Sequence, residues 1–191
     1  MKSNTLFVLL VLSLISCKKE PINSSNGNLT DNIVNENLIN TGSTTIEISG
    51  LNSAGNEITD AYSLEYSSEE NIYYSASETA SNTIDFNSAS PTIKFEIRQR
   101  QKAPSLNSLN FDILYSAYNN MGIFTKTNLQ YIKDVNNSIV IDSETSSIDS
   151  KINNIIFDRI NSKFIADYEI ERLQPRLKIR GKINVFVKEK K

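Results

Sequence analysis

The sequence predicts an all-β protein, an antiparallel β-sandwich with a distorted β-barrel as the alternative, preceded by a flexible tether. Three observations carry that expectation. From Ser43 onward, apolar residues recur with a period of two, as the alternating faces of a pleated strand require. The runs are short and separated by Gly, Pro, Asn, Asp and Ser, the residues of turns. Nothing between them reads as the crossover helix that parallel neighbours would need.

Taken in order, Ile46 and Ile48 alternate with polar neighbours and open the series. Tyr62, Leu64 and Tyr66 repeat the pattern, and Ile72-Tyr73-Tyr74 follows the acidic turn Ser67-Ser-Glu-Glu-Asn71. Ile84 and Phe86 form a short piece. Ile93, Phe95 and Ile97 point one way while Lys94, Glu96 and Arg98 point the other, which marks a half-buried strand. Phe111, Ile113, Tyr115 and Ala117 continue in the same style. Shorter runs stand at Ile123-Phe124, Tyr131-Ile132, Ile139-Val-Ile141 and Ile155-Ile-Phe157.

The clearest pair closes the chain. Phe164, Ala166, Tyr168 and Ile170 alternate against Ile165, Asp167, Glu169 and Glu171. After Arg172-Leu-Gln-Pro175, the inward set is Leu177, Ile179, Gly181, Ile183, Val185 and Val187, against an outward set led by Lys178, Arg180 and Lys182. Two alternating runs joined by a short loop predict a hairpin, acidic on one strand and basic on the other. Gly181 inside the last strand predicts a bulge or a close backbone approach. Nine or ten such strands and no long helix give the sandwich or barrel.

The chain divides into residues 1–16, 17–42 and 43–191. Met1-Lys2, then ten apolar or small residues from Leu6 to Ile15, then Ser16, have the layout of a secretory signal peptide. The run is too short to span about 30 Å of hydrocarbon. Residues 18–42 are rich in Asn and Ser and bury too little to offset their ordering entropy, so a flexible tether is expected there. A coil of that length reaches on the order of 25–30 Å. The remainder is enough for one ordinary domain, able to bury about 70% of its unfolded surface.

The ending Leu14-Ile15-Ser16-Cys17 resembles the lipobox of bacterial lipoproteins. The resemblance implies a thioether-linked diacylglycerol on Cys17, cleavage before it, and acylation of the new amino terminus. It also implies an outer-membrane lipoprotein facing the periplasm or the cell surface. The tract Ile152–Val187 resembles the C-terminal end of small lipoproteins of the Bacteroidetes, which finish with two strands and a last strand containing a Gly. Lys18-Lys19-Glu20, with one acid only, departs from the charged surface-export signals of that group.

Composition narrows the chemistry. The chain holds no His, no Trp and one Cys. An imidazole base, a His-based triad and an intrachain disulfide are therefore excluded. Lys151–Lys191 carries eleven Lys and Arg against five Asp and Glu, while Cys17–Ser150 carries eight against seventeen. An acidic body with a basic end can orient a protein at a charged surface, though it falls short of a nucleic-acid-binding domain.

Three sets of side chains are candidates for a site. Tyr62, Tyr66, Tyr73 and Tyr74 can stack on sugars or anchor a protein partner. Lys94, Arg98, Arg100 and Lys102 fall at even positions, so an extended strand would display them as a basic row able to meet phosphate or sulfate groups. Glu69-Glu70 and Asp142 with Glu144 are carboxylate pairs that could in principle serve glycoside hydrolysis, with solvated turn residues the better account. No Ca²⁺ loop, phosphate loop or nucleophile elbow is present, and no metal or cofactor is expected. The expected role is a non-catalytic binding or adhesion module, held to the membrane by the acyl chains on Cys17. Its partner would be an envelope protein or glycan, and nucleic acid is not expected. A structural, accessory or immunity-type envelope lipoprotein is the alternative, and a carboxylate-based hydrolase the remote third.

Overall fold

The computed structural model describes residues 38–68, 72–77, 92–102, 104–134 and 137–190. Cys17, the expected signal peptide, the tether up to residue 37, Glu69, Glu70 and the piece at Ile84 and Phe86 lie outside the described residues. The described residues form eleven strands. They are β1 (Ile39–Leu51), β2 (Glu57–Ser67), β3 (Ile72–Ser77), β4 (Thr92–Arg100), β5 (Ser108–Ser116) and β6 (Met121–Ile132). Then come β7 (Ser138–Asp142), β8 (Ile148–Asp158), β9 (Lys163–Arg172), β10 (Leu177–Phe186) and β11 (Lys188–Glu189).

The protein is all-β, a single curled sheet in the order β7-β6-β5-β4-β2-β1-β10-β9-β8, with β3 joined to β4 and β11. Every ladder is antiparallel except the two-residue pairing of β11 with β3. That exception arises because β10 continues into β11 and runs alongside β3 beyond the start of β1. The curl originates at β4. One edge of that strand is shared, with Arg100 pairing Tyr66 of β2 and Thr92–Ile97 pairing β3. Beyond this fork the two halves turn face to face. Phe95 of β4 lies 4.2 Å, ring centre to ring centre, from Phe164 of β9, and Phe111 of β5 lies 5.2 Å from Tyr168.

Strand by strand, alternation decides what is buried. β9 follows it without a break, with Phe164, Ala166, Tyr168, Ile170 and Arg172 buried. The predicted β9–β10 hairpin forms, and its register places Lys178 opposite Glu171, Arg180 opposite Glu169 and Lys182 opposite Asp167. Two expectations shift. β1 begins at Ile39, ahead of the predicted Ser43, because its first residues pair with Ser67 and Tyr66 at the end of β2. The separate runs at Ile123-Phe124 and Tyr131-Ile132 are one strand, β6, whose middle is polar although Thr127 is fully buried. Ala117 falls in the turn after β5 instead of in the strand.

The irregular start of β1 is held by a buried amide. Its register against β2 shifts between Asn40 and Thr44. Gln99, on the inward side of β4 and buried, donates to Thr41 Oγ1 and to the Gly42 carbonyl, each at 3.1 Å. Its carbonyl accepts from Thr44 Oγ1 at 2.5 Å. All the amide's main valences are thus used, which is what a buried polar group requires. Arg172 does the same at the far end. It is buried, and donates to the carbonyls of Pro175 and Leu51 at 3.0 and 2.8 Å, tying the β9–β10 turn to the end of β1.

Gly181 is the close approach that the sequence predicts. A Cβ built there would stand 1.8 Å from the Thr45 carbonyl oxygen and 3.0 Å from the Tyr168 ring. The ring lies across this gap and its hydroxyl donates to the same carbonyl at 3.0 Å. Gly181→Ala should therefore lower stability by about 3 kcal/mol in urea unfolding, by overpacking, while exposed Lys182→Ala stays within about 0.5 kcal/mol. Equal midpoints for the two variants would refute the packing argument. Phe95→Ala should cost about 3–5 kcal/mol, and Phe186→Ala, on the surface, far less.

Candidate binding face

The outer face of β3, β4 and β5 gathers most of the predicted candidates. On β4, Phe95, Ile97 and Gln99 point into the core, so Lys94, Glu96, Arg98 and Arg100 point out. Register then sets their neighbours. Glu96 lies opposite Tyr73 on β3 and opposite Asp112 on β5. A Tyr, a Glu and an Asp thus form one row across three strands, with Lys94 and Arg98 on either side.

Lys94 Nζ lies 3.0 Å from Glu96 and 3.3 Å from Asp112. Arg98 is ion-paired with Asp112, lies 3.8 Å from Glu96, and donates to the Phe111 carbonyl at 2.8 Å. The Tyr73 hydroxyl donates to Glu96 and accepts from Lys190 Nζ at 3.0 Å, with the same ammonium 4.3 Å from the Tyr73 ring centre. Burial pulls the Glu96 carboxyl upward. The Tyr73 hydroxyl and the Lys94 and Lys190 ammonium groups outweigh it and hold the carboxyl below its usual range. The expected basic row is therefore a charge-alternating lattice. Lys94 and Arg98 are engaged with carboxylates of their own chain.

Arg100 sits at the fork, opposite Tyr66 and Ser108. Burial lowers the pKa of its guanidinium. With Ser67, Ser68, Ser108 and Asn110 it borders a depression of about 190 Å³. Next to it, Lys102 Nζ lies 5.8 Å from the Tyr66 ring centre, and the two line a shallower depression of about 380 Å³ with Ser63 and Glu65.

The four tyrosines do not form one cluster. Tyr62 packs against the core with its ring 5.3 Å from Tyr131, and Tyr74 is buried with its ring 4.9 Å from Phe157. Tyr66 and Tyr73 lie outside, on separate parts of β2 and β3. The Asp142–Glu144 pair is divided as well. Asp142 accepts from the Glu144 backbone N–H at 2.9 Å and from Asn128 at 3.2 Å, shaping the turn after β7. Glu144 is exposed and pairs with Lys126 at 3.5 Å.

Sequence reasoning passed over Asp112, Tyr131 and Asp60. The Tyr131 hydroxyl donates to Asp60, which also has Lys133 3.6 Å away. That hydroxyl chiefly holds the Asp60 carboxyl below its ordinary value, against a smaller upward pull from burial. Asp112 was legible as an outward residue between Phe111 and Ile113, but its partners depend on register. Among the described residues, no group of three or more His, Cys, Asp or Glu is placed to hold a metal ion, and no helix is long and apolar enough to cross a membrane. No protein-family model matches the chain, and neither a curated protein nor a solved structure shows a significant likeness to it.

The lattice has a pH signature. Because the folded pKa of Glu96 is depressed, its contribution is complete above the ordinary glutamate value, near 4.3, and is lost as pH falls through the lowered one. Asp60 acts with the same sign. Thermal unfolding followed by circular dichroism should show wild-type Tm dropping below about pH 4. Glu96→Gln should have a lower Tm at neutral pH and a shallower acid decline. Parallel curves for the two proteins would show that the lattice contributes nothing.

Proposed function

We propose that this chain is a lipid-anchored cell-envelope protein whose β-domain works by binding and not by catalysis. The single observation that carries this reading is Cys17, the one cysteine of the chain, preceded by Leu14-Ile15-Ser16 and a ten-residue apolar or small run. A thiol placed there has no disulfide partner within the chain, and acylation gives it a use. Two or three acyl chains, at about 0.8 kcal/mol per buried CH₂, make such an anchor effectively permanent.

The described part of the domain supports a binding role by what it displays. Tyr66 and Lys102, with Ser63 and Glu65, offer aromatic, cationic and hydrogen-bonding groups beside the fork. These suit an envelope glycan or an acidic protein partner. Of the two carboxylate pairs weighed for a hydrolase, the one within the described residues, Asp142 and Glu144, is engaged in turn-shaping and a surface ion pair.

Metabolic labelling with a fatty-acid analogue tests the anchor. Wild-type protein should incorporate label and sediment with membranes, whereas Cys17→Ser should accumulate as an unlabelled precursor. Labelled and normally processed Cys17→Ser would overturn the reading. Protease treatment of intact cells then tells surface from periplasmic display.

A further inference from the structure

The strand directions bring several turns to one end of the domain. β3 and β5 both run antiparallel to β4, and β11 runs parallel to β3. β8 and β10 both run antiparallel to β9. The C-terminal ends of β3, β5, β8 and β11 therefore point the same way. At that end lie the β5–β6 turn, the β8–β9 turn and the end of the chain.

Five of the eight exposed large apolar side chains among the described residues lie toward this end, with Leu51, Val140 and Leu173 elsewhere. Ile160, in the β8–β9 turn, is 94% exposed, and Tyr118, in the β5–β6 turn, is 74% exposed. Met121, Ile156 and Phe186, at the adjoining strand ends, are also exposed. The two turns are neighbours, because Gly122, next to Met121, is packed against the Ile155 and Ile152 side chains of β8. One cation touches this set directly, Lys163, with its ammonium 5.8 Å from the Phe186 ring centre. Arg159, Lys163 and Lys188 belong to the segments that meet here, with Asp158 and Glu189 as their acids, and Arg159 is ion-paired with Glu189 at 2.7 Å.

We propose that this end of the domain rests on an anionic phospholipid surface, with Ile160 and Tyr118 entering the headgroup region. The inference rests on the anchored reading, in which a bilayer lies within reach of the tether. Three features select lipid over a protein partner. The two most exposed apolar groups, Ile160 and Tyr118, stand on separate turns, whereas a protein interface needs about 800 Å² per partner of matched surface. A tyrosine beside aliphatic tips, with its apolar ring and polar hydroxyl, suits the headgroup boundary. The excess of Lys and Arg complements anionic lipid.

The chain has no Trp, so a single introduced indole reports on one place. The full chain carrying Ile160→Trp, and a second carrying Leu173→Trp at the opposite, exposed turn, are mixed with phosphatidylcholine vesicles with and without phosphatidylglycerol. For the Ile160→Trp chain, the expected result is a blue shift of indole emission and its quenching by brominated acyl chains, with phosphatidylglycerol only, reversed by high salt. Emission from the Leu173→Trp chain should stay water-like. Unshifted emission from Ile160→Trp overturns the proposal, as does an equal shift in both variants. A concentration-dependent blue shift of Ile160→Trp without vesicles also overturns it, assigning the end to a second copy of the chain. Each of these outcomes is independent of Cys17 labelling, so loss of the tip contact and loss of the anchor are told apart.

Discussion

The curl of this sheet depends on a crowd of rings around Phe95. That side chain is fully buried and meets Tyr74 of β3, Tyr115 of β5, Phe157 of β8 and Phe164 of β9, at ring-centre distances between 4.2 and 6.2 Å. Edge-on and tilted contacts of this kind add about 0.5–1.5 kcal/mol per pair beyond the area they bury. More important is where the five rings come from. An open, flat sheet of this order would place β4 and β9 far apart. Bringing their rings into contact requires the fork at Arg100, the turn of one half over the other, and a β3 short enough to fill the space left at the fork.

The alternation in β4, β5, β9 and β10 was legible in the sequence because each strand is wet on one face and dry on the other. So was the last hairpin with its acidic and basic outer faces, though not its register. β6 was not. Its middle, Thr125-Lys-Thr-Asn128, carries no apolar signal, yet Thr127 is fully buried and Leu129 beside it completes the inward row. The start of β1 escaped for a similar reason. Thr41 and Thr44 face inward as polar residues, and what makes their burial tolerable is the Gln99 amide, distant in sequence. Both Gln99 and Arg172 sit at the apolar phase of their strands, and that mismatch of residue and phase was the available clue to a buried polar network.

The candidate face shows how far a sequence pattern falls short of a site. Even spacing correctly placed Lys94, Arg98 and Arg100 on one side of a strand. That Lys94 and Arg98 face their own chain was decided by Asp112 across the ladder, which spacing cannot align. The tyrosines divide by the same logic. Tyr62 and Tyr74 are claimed by the core, while Tyr66 and Tyr73 are left outside at positions with different cationic neighbours.

β1 enters the sheet from the N-terminal side and is bonded along both edges, to β2 and to β10. A pull on the segment before Ile39 therefore loads an interior strand along its own axis. Its two ladders must slide together, and neither can unzip alone from an exposed edge. Gln99 and the Gly42 approach to Asn184 grip the first residues to feel that load. The load thus passes through Ile39 and Asn40, bonded to β2 alone, into the stretch from Thr44 to Gly50 that is bonded on both edges.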